Sequence, residues 1–273
     1  LVRSRGLGDV YKRQMKISLV GSGRVAFHLA KALLGQGHHI VQVYARDFEK
    51  TQKFAVQFQA KACQSLQQFQ STDLIILAVS DSAIAELVKQ IHELFPETLM
   101  VHTSGSTDIE VISHVHTKAG VFYPLQTFSL ERDVDWSATP LFVEAVTDTD
   151  QELLSDLANS LSKRVYQYTS KQRLTLHLAA VFACNFSNYC FDMAKQVVDK
   201  EQVDFSLLYP LIIETAKKAT ENDPKQMQTG PAVRGDQNIL AMHQDLLAQA
   251  NQDDLKQVYQ LLSDGIVKRH HSD

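Results

Sequence analysis

The segment Gly21-Ser22-Gly23-Arg24-Val25-Ala26 limits what this chain can fold into more than any other. It follows an apolar run, Lys16–Val20, and opens a stretch, Arg24–Leu34, in which Val25, Leu29, Ala32 and Leu33 recur on one helical face. A G-x-G-x-x-A sequence set between a strand and a helix is the context in which these glycines serve dinucleotide binding. Gly21 permits the tight turn, Gly23 lets a pyrophosphate approach the backbone, and Ala26 lets the helix pack close to the strand. The helix start supplies free N–H groups and the positive end of its dipole, so Gly21, Ser22, Gly23, Arg24 and Val25 are the candidate phosphate cradle. A tight turn that binds nothing is the plainer alternative.

The alternation continues beyond this unit. Gly35 and Gly37 stop the first helix, and His39–Ala45 reads as a second strand. Asp47 is read as the N-cap of a helix through Phe58, and a short strand is expected near Ala60–Cys63. Asp73–Val79 is continuously apolar, as suits a strand buried on both faces. Asp81 is expected to cap a helix over Ser82–Leu94, with Thr98–His102 the next strand. This predicts an α/β fold, a doubly wound Rossmann-type parallel sheet. Looser alternation follows through Val121–Tyr123, Leu141–Val146, a helix around Asp150–Ser162, and Val165–Tyr168. From Lys171 onward the pattern is helical: Leu174–Val198, Phe205–Thr220, Ala232–Ala248 and Asp253–Lys268. The expected domains are therefore a dinucleotide-binding domain over 15–168 and an all-helical substrate and dimerisation domain over 169–273.

Composition narrows the function classes. Of 273 residues 44% are hydrophobic, enough for a packed core and too many for a disordered chain. The longest apolar stretches, Leu74–Val79 and Leu178–Cys184, fall far short of the roughly 18–20 residues that cross a bilayer. Three cysteines without metal-type spacing indicate neither a disulfide framework nor a zinc site. A net charge of −4 offers no general attraction to nucleic acid or anionic membranes. The expectation is a reduced, cytoplasmic, globular protein acting on a small molecule, with no metal, nucleic-acid or membrane partner. Residues 1–14 carry neither period nor a signal-type apolar core, and they resemble translated adapter sequence; they are expected to be a non-native leader before Met15.

Several polar positions are candidates for chemistry. The second strand ends at Ala45-Arg46-Asp47, where Arg46 can take a 2′-phosphate bidentately and so points to NADP. Asp47 leaves NAD open. In a doubly wound sheet the ligand lies beyond the carboxyl ends of the strands. Ala78-Val79-Ser80-Asp81 and the loop from His102 to Thr107 occupy that place; Ala78, Val79 and Ser80 are cofactor candidates and Ser104 and Gly105 substrate candidates. Ordinary turn chemistry, with Ser106 or Thr107 capping the next helix, is the alternative. Phe122 to Phe128 forms a second candidate rim, ranked lower because its aromatics suit packing. On the long apolar helix, a 100° step puts His177 and Asn188 about 20° apart and Asn185 about 80° away. His177 is the candidate acid/base, with Asn185 and Asn188 holding substrate oxygen; interhelical hydrogen bonding is the competing role. Arg234, just after Gly230-Pro231, is a candidate anion clamp or a structural partner of Asp236. His114, His116, His243, His270 and His271 are read as surface residues.

The motifs GSGRVAFHLAKAL, LAVSD, HTSGS, FYPLQTFS, HLAAVFACNFSN and QTGPAVRGDQN occur in that order. With them the chain resembles bacterial Rossmann-like NADP oxidoreductases that carry a helical C-terminal domain of unknown function. The resemblance runs from Met15 to the C-terminus and implies homodimerisation through the helical domain. More distantly the chain is similar to pyrroline-5-carboxylate reductase, prephenate dehydrogenase and the β-hydroxyacid dehydrogenases. It lacks the Gly-x-Thr helix of the first and the lysine of the last, and Asn185 and Asn188 stand where prephenate dehydrogenases carry later histidines. The resulting reading is an NADP-dependent oxidoreductase transferring a hydride to or from a small polar metabolite held between the domains. A deazaflavin is a further cofactor option, and a non-catalytic nicotinamide-nucleotide sensor is the alternative function.

Overall fold

In the computed structural model, which describes residues 14–271, β1 (Lys16–Val20) leads through the glycine turn into α1 (Arg24–Gly35). There follow β2 (His39–Tyr44), α2 (Phe48–Gln57), β3 (Lys61–Cys63), β4 (Leu74–Leu77), α3 (Asp81–Leu94) and β5 (Leu99–His102). Then come α4 (Glu110–Ser113), β6 (Ala119–Pro124), β7 (Leu141–Ala145), α5 (Asp148–Leu161), β8 (Val165–Gln167) and α6 (Ser170–Ala180). The strands form one sheet ordered β3-β2-β1-β4-β5-β6-β7-β8. β1 to β6 run parallel, β7 turns antiparallel to β6, and β8 is parallel to β7. The order reverses between β1 and β4, which is where such sheets open a ligand crevice. The doubly wound fold expected from the sequence is the fold found. The proposed leader lies, apart from Gln14, outside the described residues.

The period of two along each strand divides the core. Ile17, Leu19, Leu74, Ile76, Leu99 and Val101 face one side and pack against Leu29 and Leu33 of α1 and Leu154 and Leu157 of α5. Val20, Ile75, Leu77 and Met100 face the other and meet Ile84, Val88 and Ile91 of α3. Burying each such side chain stabilises the fold by about 1.5–3 kcal/mol, so the sheet is a rigid base for the loops at its carboxyl edge.

Helix starts are mostly set by side chains named in the sequence. Asp47 accepts a hydrogen bond from the Lys50 N–H at 3.1 Å and caps α2 as expected. Thr169 and Gln172 form a reciprocal capping box that starts α6. Asp81 departs from expectation. Ser80 occupies the N-cap of α3 and Asp81 is the first helical residue, its carboxylate engaged by the Ser106 hydroxyl across the loop.

The described residues divide into two compact units, one ending at Val181 and the other beginning at Phe182, so α6 belongs with the sheet. The single helix expected over Leu174–Val198 is interrupted. A π-helical turn, Val181–Phe186, separates α6 from α7 (Ser187–Lys200). A π turn widens the hydrogen-bond ladder to i→i+5, so a 100° projection from His177 to Asn185 and Asn188 does not carry across it. After α8 (Tyr209–Glu221), the helix expected over Ala232–Ala248 is two: α9 (Pro231–Arg234) and α10 (Gln237–Gln249). Gly235 adopts φ +68° and ends the first, and the Asp236 side chain accepts from the Ile239 N–H to cap the second. α11 (Asp253–His271) completes the described chain. No helix among the described residues is long and apolar enough to cross a membrane.

Candidate active site

The carboxyl edge of the sheet opens into a cavity of about 970 Å³. Gly21 adopts φ +114°, and a Cβ there would lie 2.1 Å from the Ala78 carbonyl oxygen, so only glycine lets the β1 turn pass the end of β4. Gly23 is the reverse case: a Cβ placed on it would meet no heavy atom within 4 Å. The turn is thus tight against protein on one side and open on the other. Gly23 is also the N-cap of α1, no side chain caps that helix, and its first turn holds no acidic residue. Its leading N–H groups are left for an anion, which is the chemistry of a pyrophosphate cradle. Residues and ligand class fit one another here.

Gly21, Ser22, Gly23, Arg24, Val25, Arg46, Ala78, Val79, Ser80, Ser104, Gly105 and His177 all line this one cavity. Asn185 in the π turn, Asn188 on α7 and Arg234 on α9 belong to the second unit and are exposed on it. At the β2 end, Asp47 is occupied by the Lys50 N–H and Nζ, which also hold its carboxyl below the usual range. Arg46 is exposed at the wall, with no carboxylate paired to it among the described residues.

The opposite end is built by contacts distant in sequence. The Ser104 N–H donates to Nδ1 of His102 at 3.2 Å, which leaves the imidazole proton on Nε2. Burial, with the nearby Arg173 guanidinium adding to it, pushes His102 down to about 4, so this buried ring stays neutral. The Ser104 hydroxyl accepts from the Ser106 and Thr107 N–H groups at 3.1 and 2.9 Å. Neither Ser106 nor Thr107 caps a helix; their amides close a turn on Ser104, and the Ser106 hydroxyl donates to Asp81.

Against this loop stand Tyr123 from β6 and His177 from α6, the phenol oxygen 3.2 Å from the imidazole Nδ1. A Cβ on Gly105 would lie 2.6 Å from His177 Nδ1 and 2.7 Å from Tyr123 Cζ. The glycine is what lets both rings close on the loop. Burial pushes the Tyr123 phenol up to about 12, opposed by Arg173 and reinforced by Asp81, so the phenol keeps its proton at neutral pH.

Arg173, one turn before His177 on α6, fastens the assembly. Its side chain is 1% exposed; Nη1 donates to Glu144 of β7 at 2.6 Å, and Nη2 donates to the Thr107 carbonyl and to the Ser170 hydroxyl. The Ser170 N–H and hydroxyl donate to the two Glu144 oxygens at 3.0 and 2.8 Å. Thus β7, the loop after β5 and the start of α6 share one buried ion pair, and the register that places His177 against Gly105 is locked.

Tyr123, Asp81 and Arg173 are the functional candidates that sequence reasoning passed over. Tyr123 stood in a flagged segment but read as packing, and Asp81 stood in a loop placed at the ligand crevice but read as a cap. Two histidines read as surface residues are not: His116 is fully buried, its Nε2 donating to the Thr98 carbonyl at 2.7 Å, and His243 Nδ1 lies 2.9 Å from the Tyr259 hydroxyl. The proton on His116 Nε2 leaves Nδ1 to accept from His92 at 3.1 Å.

Residues 16–105 match the family described as NADP oxidoreductase, coenzyme F420-dependent, and residues 139–266 match a domain of unknown function, DUF2520. The protein BF3122 of Bacteroides fragilis, provisionally described as an NADP oxidoreductase, is 42% identical with a TM-score of 0.87, over 93% of this chain and 98% of that one. The chain belongs to this family. Its Rossmann-type half carries the glycine cradle, and the DUF2520 match begins just before β7 and so takes in Glu144, Arg173 and His177. The family fold extends to proteins of low identity. An imine reductase from Myxococcus stipitatus, solved with NADP+, is 14% identical with a TM-score of 0.67, over 94% of this chain and all of that one. A pyrroline-5-carboxylate reductase from Coxiella burnetii is 16% identical with a TM-score of 0.55, over 93% and 98% of the two chains. No curated protein matches the chain.

Proposed function

We propose that this family member is an NADP-dependent oxidoreductase that moves a hydride between nicotinamide and the carbonyl, imine or alcohol carbon of a small polar metabolite. One observation carries the reading: a single cavity joins the open glycine cradle at Gly23 to the Tyr123–His177–Gly105 cluster. NADP, when bound, supplies the hydride chemistry. The α1 N–H groups hold its phosphates and Arg46 its 2′-phosphate. His177 gives or takes the substrate proton, with the Tyr123 phenol orienting the ring through Nδ1. Ser104 and the Gly105 backbone bound the place of the reacting carbon. Asn185, Asn188 and Arg234 are proposed as substrate-binding residues, the last for an anionic group.

The test is calorimetric titration of NADPH and NADH into the protein and its Arg46→Ala variant. NADPH is expected to bind more tightly than NADH, and the variant to lose about tenfold or more, ~1.4 kcal/mol, for NADPH alone. Absence of binding by either nucleotide would reduce the glycine loop to a turn and end the oxidoreductase reading.

We also propose a homodimer through the second unit. Its buried apolar side chains among the described residues are few, Ala232, Leu240, Leu247 and Leu255, while Phe182, Leu207, Leu211, Ile213 and Leu261 are 62–72% exposed. Apolar surface on that scale marks an interface. Light scattering after size exclusion is expected to give the mass of two chains, and a monomer at micromolar concentration would refute the pairing.

A further inference from the structure

The charge in the cavity is unevenly placed. Its two guanidinium groups, Arg24 and Arg46, stand beyond β1 and β2, at the end proposed for phosphates. Beyond β4, β5 and β6, which continue the sheet away from β2, the described lining residues include no lysine or arginine. Arg173 supplies none to the cavity, because its guanidinium is buried and committed to Glu144, Thr107 and Ser170. What stands at that end is the carboxylate of Asp81. Its Oδ2 accepts from the Ser106 hydroxyl, and Oδ1 takes no hydrogen bond from the described residues. Glu86, one turn further along α3, adds a second carboxylate to the same wall. Ser106, which holds Asp81, is the neighbour of Gly105, the residue on which Tyr123 and His177 close.

An exposed carboxylate on the cavity wall, held by one neutral donor and with an oxygen left over, favours a cationic hydrogen-bond donor over a neutral or anionic group. We propose that the group reduced here is a protonated carbon–nitrogen double bond, its N–H⁺ held by Asp81 Oδ1 while Ser106 fixes the carboxylate. The inference rests on the oxidoreductase reading and names the substrate class of that site. In the step, the imine nitrogen takes a proton from the His177 side and becomes an iminium. The iminium carbon accepts a hydride from the reduced nicotinamide, forming the new C–H bond. The C=N π pair becomes the nitrogen lone pair, and the product is a neutral amine with the nicotinamide oxidised by two electrons. Asp81 stabilises the iminium charge and has no equivalent partner on a neutral ketone.

The experiment first measures NADP+ affinity by calorimetry for the wild-type protein and for Asp81→Asn. Pyrrolidinium, cyclopentanol and cyclopentanecarboxylate are then titrated into the NADP+-saturated proteins, and NADPH oxidation is followed with 1-pyrroline and with cyclopentanone. The wild-type protein is expected to bind pyrrolidinium at least tenfold more tightly than the other two ligands and to prefer 1-pyrroline by a similar factor in kcat/KM. Asp81→Asn should lose that preference while its NADP+ affinity stays within about threefold. Equal or tighter binding of cyclopentanol or the carboxylate overturns the proposal. So does a variant that loses NADP+ affinity instead, which would make Asp81 a ribose contact. Failure of NADP+ to bind the wild-type protein overturns the oxidoreductase reading itself, and the first titration reads that outcome separately.

Discussion

Replacing His177 with alanine is expected to lower turnover by about 10²–10⁴-fold, the usual contribution of a positioned general acid or base. NADPH affinity should stay within about threefold, because His177 stands at the opposite end of the cavity from the glycine cradle. His177 Nδ1 is taken up by the Tyr123 hydroxyl at 3.2 Å, so the imidazole is held in one orientation and its Nε2 is the nitrogen left for a substrate. Tyr123→Phe removes that hold without removing the ring and should lower kcat by a smaller factor, about tenfold. Steady-state kinetics with any substrate the protein turns over checks both. An unchanged rate in His177→Ala withdraws the catalytic assignment. Nucleotide binding without turnover on any carbonyl or imine would leave a nicotinamide-nucleotide sensor built on the same cavity.

Replacing Arg173 with methionine is expected to destabilise the first unit by about 3–5 kcal/mol, because it leaves Glu144 largely buried without its cation. Glu144 is 18% exposed and its oxygens would still take the two Ser170 bonds, but the charge would be uncompensated. The double variant Arg173→Met, Glu144→Gln removes the charge as well and should recover a substantial part of the loss. Urea unfolding followed through Trp136, the chain's single tryptophan, reports on the correct unit, since that ring packs against the core beneath the sheet. A loss below about 1 kcal/mol in Arg173→Met would show that the clamp adds little to stability.

How much of this was legible in the sequence follows from how far apart the interacting residues lie. The glycine turn, the Asp47 cap and the strand-helix alternation are encoded within a few residues, and each was found where read. Where local rules failed, a tertiary contact or a backbone irregularity had displaced them. Asp81 has the composition and place of a cap, yet its carboxylate is turned to Ser106, 25 residues away. The helical projection of Asn185 and Asn188 assumed an unbroken α-helix, and the π turn at Val181–Phe186 ends that assumption. His116 reads as a surface histidine until the Thr98 carbonyl and His92 are seen to satisfy it in the core.

By itself the sequence determined the class of fold, the location of the glycine turn and the family, because hydrophobic period and glycine placement are local properties of the chain. The Tyr123–His177 end of the cavity was decided only by tertiary structure. Tyr123 and His177 are 54 residues apart, Arg173 and the Thr107 carbonyl 66. Their meeting depends on how β6 and α6 pack over a loop that has no side chain at Gly105, and no short-range pattern records such a juxtaposition.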